Sequence, residues 1–240
     1  MTSLRSWFNQ GPMHQLFQPG KIIHLSPPQE SQWRINEIIK EYDNQRDQRN
    51  VRKDVPSYAA IKLSCSKADD PTSRAMMRVY VQIPHTNTEP KIRAQQAIRF
   101  KPKELHAFQT LSKNITTSNF TPSLLGYRES EQDASGMIPG GFLTFIVWQI
   151  VPGLWLGSPS GEATGFWDSG LDLEERNLIR AKFKDTFHFW VGFRNWDSST
   201  PGPGRWTEFW WYYFGLAKVD GYDNHPMDDE WDGDTSTWHW

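Results

Sequence analysis

Met76-Met77-Arg78-Val79-Tyr80-Val81-Gln82-Ile83-Pro84 alternates apolar and polar side chains from Met77 onward. A period of two marks a strand with one buried face, so Met77, Val79, Val81 and Ile83 are predicted to face a core. Arg78, Tyr80 and Gln82 then share the other side. Just upstream, Tyr58–Ser66 is also rich in strand formers, and the turn-like Lys67–Arg74 joins the two stretches into a predicted hairpin.

Working outward, residues 1–31 are rich in Pro, Gly and Gln without a clear period and read as an irregular arm. From Gln32 to Asn50 the apolar Ile35, Ile38, Ile39 and Tyr42 fall at i, i+3, i+4 and i+7, which predicts an amphipathic helix. A further helix is predicted to start near Pro102, a good first-turn residue, with Leu105, Phe108 and Leu111 along one side. Ser123–Arg128 and Phe142–Gln149 read as two strands joined by a Gly-rich loop, followed by a break at Val151-Pro152-Gly153. Asp172 and Glu175 have capping-box spacing and open a long predicted helix. The strongly aromatic Trp206–Val219 is a strand candidate, and the tail from Asp220 carries seven acidic residues and no Lys or Arg.

The order, strands early and helices late, predicts an α+β fold. Its segments would be an arm and amphipathic helix (1–57), a β-rich part (58–148), a break and helical part (149–219) and an acidic tail (220–240).

The formal net charge is -2 over 240 residues, so no overall field draws nucleic acid or an anionic membrane. The longest apolar run, Phe142–Trp148, is far short of the ~20 residues that span a bilayer, and membrane insertion is not expected. One cysteine, Cys65, allows no internal disulfide and points to the cytoplasm. The histidines show no zinc-ligand spacing, and Asp228-x-Glu230-x-Asp232-Gly233 lacks the closing Glu of a calcium loop. Neither a metal nor a cofactor is expected.

Several stretches together resemble a known group. They are Arg78–Pro84, Arg93-Ala-Gln-Gln-Ala97, Pro102–Phe108, Pro122-Ser-Leu-Leu-Gly-Tyr127, Ile138-Pro-Gly-Gly-Phe142, Val147–Leu156 and Glu175–Arg180. The chain resembles filamentous-fungal proteins related to protein kinases and aminoglycoside/choline phosphotransferases, as a degenerate member, over about Tyr58 to Val219. The resemblance implies a two-lobed protein-kinase-like fold with a small β-rich lobe and a reduced helical lobe. It further implies that Arg78 takes the place of a strand cation and Glu104 that of its helix partner. The acidic residues that would hold Mg²⁺ are missing, because Gly192–Asp197 and Trp211–Lys218 offer none at the required spacing. Phosphoryl transfer is therefore expected to fail.

What remains is an expected cleft walled by Trp148, Val151, Trp206, Trp210, Trp211 and Phe214, suited to an apolar small molecule. Arg78, Gln82, Glu104 and His106 are the candidate polar groups. Such a site fits a cofactor-free cyclase, isomerase or cycloaddition catalyst of fungal secondary metabolism, which needs mainly to hold one reactive conformer. The alternatives are a catalytically dead interaction scaffold, with a protein partner, and an unorthodox phosphotransferase.

Overall fold

The computed structural model describes residues 6–9, 11–47, 55–113, 121–152, 164–193, 211, 216–219, 236 and 238–239. The chain divides into two compact units, Met1–Val151 and Pro152–Trp240.

In the first unit six strands form one antiparallel sheet: β1 (Ile22–Leu25), β2 (Ser31–Asn44), β3 (Ser57–Lys67), β4 (Arg74–Ile83), β5 (Leu124–Glu131) and β6 (Phe142–Gln149). Their spatial order is β1-β2-β3-β4-β6-β5. The outer strands approach each other, so the sheet nearly closes. The Tyr127 N–H donates to the Pro27 carbonyl at 2.9 Å, and Arg128 Nη1 donates to the His24 carbonyl at 2.9 Å. Gly126 makes this seam possible: a Cβ there would lie 3.0 Å from Leu25 Cδ1 and 3.2 Å from Ser31 Oγ.

The expected two-lobed protein-kinase-like α+β fold is thus corrected. A near-barrel of antiparallel strands with a few short helices dominates the described residues. The main reason is the stretch after Gln32. It forms β2 rather than an amphipathic helix, and it is irregular between Ile35 and Glu37 and between Ile38 and Lys40. Each irregularity adds a residue to the strand, so Ile35 and Ile38, three apart, both pair with core residues of β3 (Cys65 and Leu63). Of the four apolar residues read as a helical stripe, only Ile35 is buried; Ile38, Ile39 and Tyr42 are exposed.

The alternation read in Met76–Pro84 holds. Met77, Val79, Val81 and Ile83 are fully buried, together with Ala59, Ile61, Leu63 and Cys65 of β3 and Phe145 and Val147 of β6. The arm is not irregular. A short helix, α1 (Gly11–Leu16), and its flanks drive Trp7, Phe8, Met13 and Phe17 into this same core. Trp7 Nε1 also donates to Asp43 Oδ2 at 2.7 Å, fixing the arm to β2.

On the opposite face lies α2 (Lys103–Ser112), which begins directly after Pro102 and buries Leu105. A 3-10 turn, Pro90–Gln96, precedes it.

The second unit contains α3 (Thr164–Asp168), α4 (Leu173–Phe193) and a two-stranded ladder of β7 (Lys218–Val219) with β8 (Trp238–His239). The capping box at its long helix is present. The Asp172 N–H donates to Glu175 Oε2 at 3.0 Å and the Glu175 N–H to Asp172 Oδ1 at 2.8 Å. Phe166, Trp211, Leu216 and Ala217 form its core. Among the described residues, no helix is long and apolar enough to cross a membrane.

Candidate functional site

Strand register decides which side chains meet on the outer face of the sheet. Lys40 of β2 lies opposite Lys62 of β3, and Lys62 lies opposite Arg78 of β4. Three cations thus form a row across adjacent strands. Like charges set directly opposite one another repel, so a row of this kind weakens the sheet unless something offsets it.

One offset comes from α2. Arg78 Nη1 donates to Glu104 Oε1 at 2.7 Å, and both side chains are about a quarter exposed. Tyr80 OH donates to the second oxygen, Glu104 Oε2, at 2.9 Å, and Tyr42 OH donates to Tyr80 OH at 3.3 Å. Both carboxylate oxygens are therefore occupied, and α2 is tied to the sheet. The Arg78 guanidinium also lies 5.5 Å from the centre of the Trp148 ring, which itself packs on Phe108. Its Nε is buried and has no hydrogen-bond partner among the described residues.

The electrostatics follow from this crowding. Burial lowers the pKa of Lys62, Arg78 adds to that, and Glu104 opposes it. Burial, the largest single influence on Arg78, works against its charge, but Glu104 together with Tyr80 and Tyr42 outweighs it and the net shift is upward. For Tyr80, burial and the hydrogen bond with Tyr42 push the phenol far above its ordinary range. Tyr80 is consequently a hydrogen-bond donor at neutral pH and not a base.

Aromatic rings complete the face. Tyr58 stacks with Phe100 at 6.2 Å and 19°, and Phe100 leans on Phe142 at 5.0 Å. Tyr58 also touches the rings of Tyr42 and Tyr80.

The expected site residues separate into groups. Arg78, Glu104 and Trp148 come together as described. Gln82 does not join them: it is buried, its Nε2 donates to the Gln96 carbonyl and its Oε1 accepts from the Ile98 N–H. Gln132 bonds its backbone carbonyl at 2.8 Å, making a closed amide knot that holds the loops. His106 is exposed on α2, and Val151 is exposed at the end of the first unit. Trp211 lies in the core of the second unit, against Phe183. Trp206, Trp210 and Phe214 lie outside the described residues, as does most of the strand expected at 206–219.

Lys40, Lys62, Tyr42 and Tyr80 were not among the expected site residues. Counting back from a turn centred on Asp70 places Lys62 opposite Arg78, because such a hairpin pairs positions that add up to 140.

Two other groupings have structural roles. Ser57 Oγ lies 2.7 Å from His85 Nδ1 and accepts the Arg46 N–H at 2.8 Å, but Ser57 is fully buried and ties three segments together. Cys65 is buried in the inner core, where desolvation pushes its thiol up to about 12, so it is no nucleophile. Among the described residues no three His, Cys, Asp or Glu side chains gather as a metal-ligand set.

Comparison with known proteins yields no matching family model, no matching curated protein and no matching solved structure.

Proposed function

We propose that the sheet unit binds a small molecule with a flat aromatic or apolar body and one anionic group. The observation that carries this reading is the row Lys40–Lys62–Arg78, three cations set side by side across adjacent strands, with Glu104 paired to Arg78. An anion placed there relieves the repulsion beside the partly exposed Arg78 guanidinium. The rings of Trp148, Phe108, Tyr58 and Phe100 border the same face and supply an apolar platform.

Glu104 acts as a positioning residue, holding the guanidinium beside the indole. The resemblance noted above supports the reading at one point. It implies a strand cation partnered by a helix carboxylate, and Arg78 and Glu104 are such a pair. A buried lone thiol supports a reducing compartment, the cytoplasm, as the place of action.

Calorimetric titration tests the proposal with salicylate, its neutral analogue benzamide, and ATP with and without magnesium. Salicylate should bind about tenfold or more tightly than benzamide, and Arg78→Gln should remove that preference. Equal binding of the neutral analogue, or an unchanged preference in Arg78→Gln, overturns it. Sustained ADP formation by the wild-type chain would replace binding with phosphoryl transfer as the activity.

A further inference from the structure

The β1–β2 hairpin, the turn after β3 and Arg128 of β5 enclose a groove of about 830 Å³. That is within the range of about 300–1,000 Å³ for small-molecule sites. Arg34 of β2, Lys67 at the end of β3 and Arg128 of β5 line it, joined by His24, Glu30 and Asp69. None of the three cations forms a salt bridge among the described residues.

Arg128 is the unusual member. Its guanidinium lies on the Phe145 ring at 4.3 Å, one nitrogen donates to the His24 carbonyl at 2.9 Å, and its buried Nε has no hydrogen-bond partner among the described residues. Burial lowers its pKa, the direction expected of a cation withdrawn from water without a counter-charge. Half-burying a guanidinium in this way is costly unless an anion completes it.

We infer that this groove is a second ligand site, taking a small polar oxyanion, a phosphate ester or a carboxylate, whose body carries hydroxyl groups. The oxyanion would lie between Arg128, Arg34 and Lys67, where a planar guanidinium offers paired donors. Glu30 and Asp69 accept from the hydroxyls. The lining carries charged and polar side chains and no Phe, Tyr or Trp, which separates this ligand from the flat aromatic one of the outer face.

The test uses the full chain at constant ionic strength, titrated with inorganic phosphate, glycerol 3-phosphate, citrate and, as neutral control, glycerol. Wild type should bind glycerol 3-phosphate or citrate more tightly than inorganic phosphate, and glycerol not at all. The tighter of the two identifies the head group as phosphate or carboxylate. Arg128→Gln should weaken binding about tenfold or more, and Arg78→Gln should leave it unchanged. Should Arg128→Gln fail to fold, the exposed double substitution Arg34→Gln with Lys67→Gln decides, with a similar loss expected. The inference is overturned if no oxyanion binds wild type at up to about 20 mM. It is equally overturned if folded groove variants bind as wild type does, or if Arg78→Gln abolishes binding.

Discussion

The two faces of the sheet are made by the same strands and serve opposite ends. Inward, Ile61, Met77, Val79 and Phe145 are fully buried and meet an arm that fills the interior. Outward, one residue along, Lys62, Arg78 and Tyr80 crowd charge and hydroxyl groups under a single short helix. The inner face is optimised for packing, whereas the outer face gives up stability by lining up three cations. Residues that lower stability without an obvious structural return are expected where a protein binds something.

The difference can be broken or sharpened by substitution. The largest effect belongs to the inner face: Phe17→Ala, which removes a ring packed on Phe8 at 5.4 Å and Phe145 at 6.2 Å, should cost about 3–5 kcal/mol in urea unfolding. Salicylate affinity should be kept as long as the variant is folded; a loss of less than about 1 kcal/mol would show that the arm does not fill the core.

Gly126→Val comes next. Its added methyls meet Leu25 and Ser31 at the seam, for about 1–3 kcal/mol, and hydrogen exchange at the Tyr127 amide should speed up. Slower exchange, or unchanged stability, would contradict the close approach of β5 to the β1–β2 hairpin.

Glu104→Gln should cost about 1–2 kcal/mol by leaving Arg78 uncompensated, with the loss read by chemical denaturation. Added salicylate should restore more stability to this variant than to wild type, because the anion then supplies the missing charge.

Smallest, and opposite in sign, is Lys62→Gln. Removing the middle cation should stabilise the sheet by about 0.2–1 kcal/mol while weakening salicylate binding. A destabilised Lys62→Gln would mean that the row is structural and the contrast between the faces is wrong.

Much of the inner face was legible in the sequence. The alternation from Met77 to Ile83, the hairpin with Tyr58–Ser66, the strand Phe142–Gln149, the helix after Pro102 and the capping box at Asp172 all appear where local chemistry places them. Bulged β2 was not legible, since its register irregularities break the period of two and Ile38, Ile39 and Tyr42 stay exposed. The strand-forming signal there was composition, with Ile35, Ile38 and Ile39 all β-branched. Nor could the arm be read, because Trp7, Phe8 and Phe17 are held by partners far away in the chain and follow no period of their own.

At the site, alternation put Arg78 on the outer face, whereas its pairing with Glu104 was expected only from the resemblance, whose two-lobed architecture the structure overturns. Lys62 could have been found by counting across the hairpin, but Lys40 could not, because it sits on the strand mistaken for a helix. Gln82 was misjudged for a different reason. Alternation correctly placed it on the same side as Arg78, yet it cannot reveal that loops bury that end of the strand under Gln96 and Ile98.

Closing the seam joins His24 to Arg128, positions 104 residues apart. During synthesis at about 5–20 residues per second, the first strand must wait on the order of 5–20 s for its neighbour to leave the ribosome. Throughout that interval the aromatic arm has no interior to enter, and its rings stay in water. Burial of Trp7, Phe8 and Phe17 thus depends on strands that lie much later in the chain.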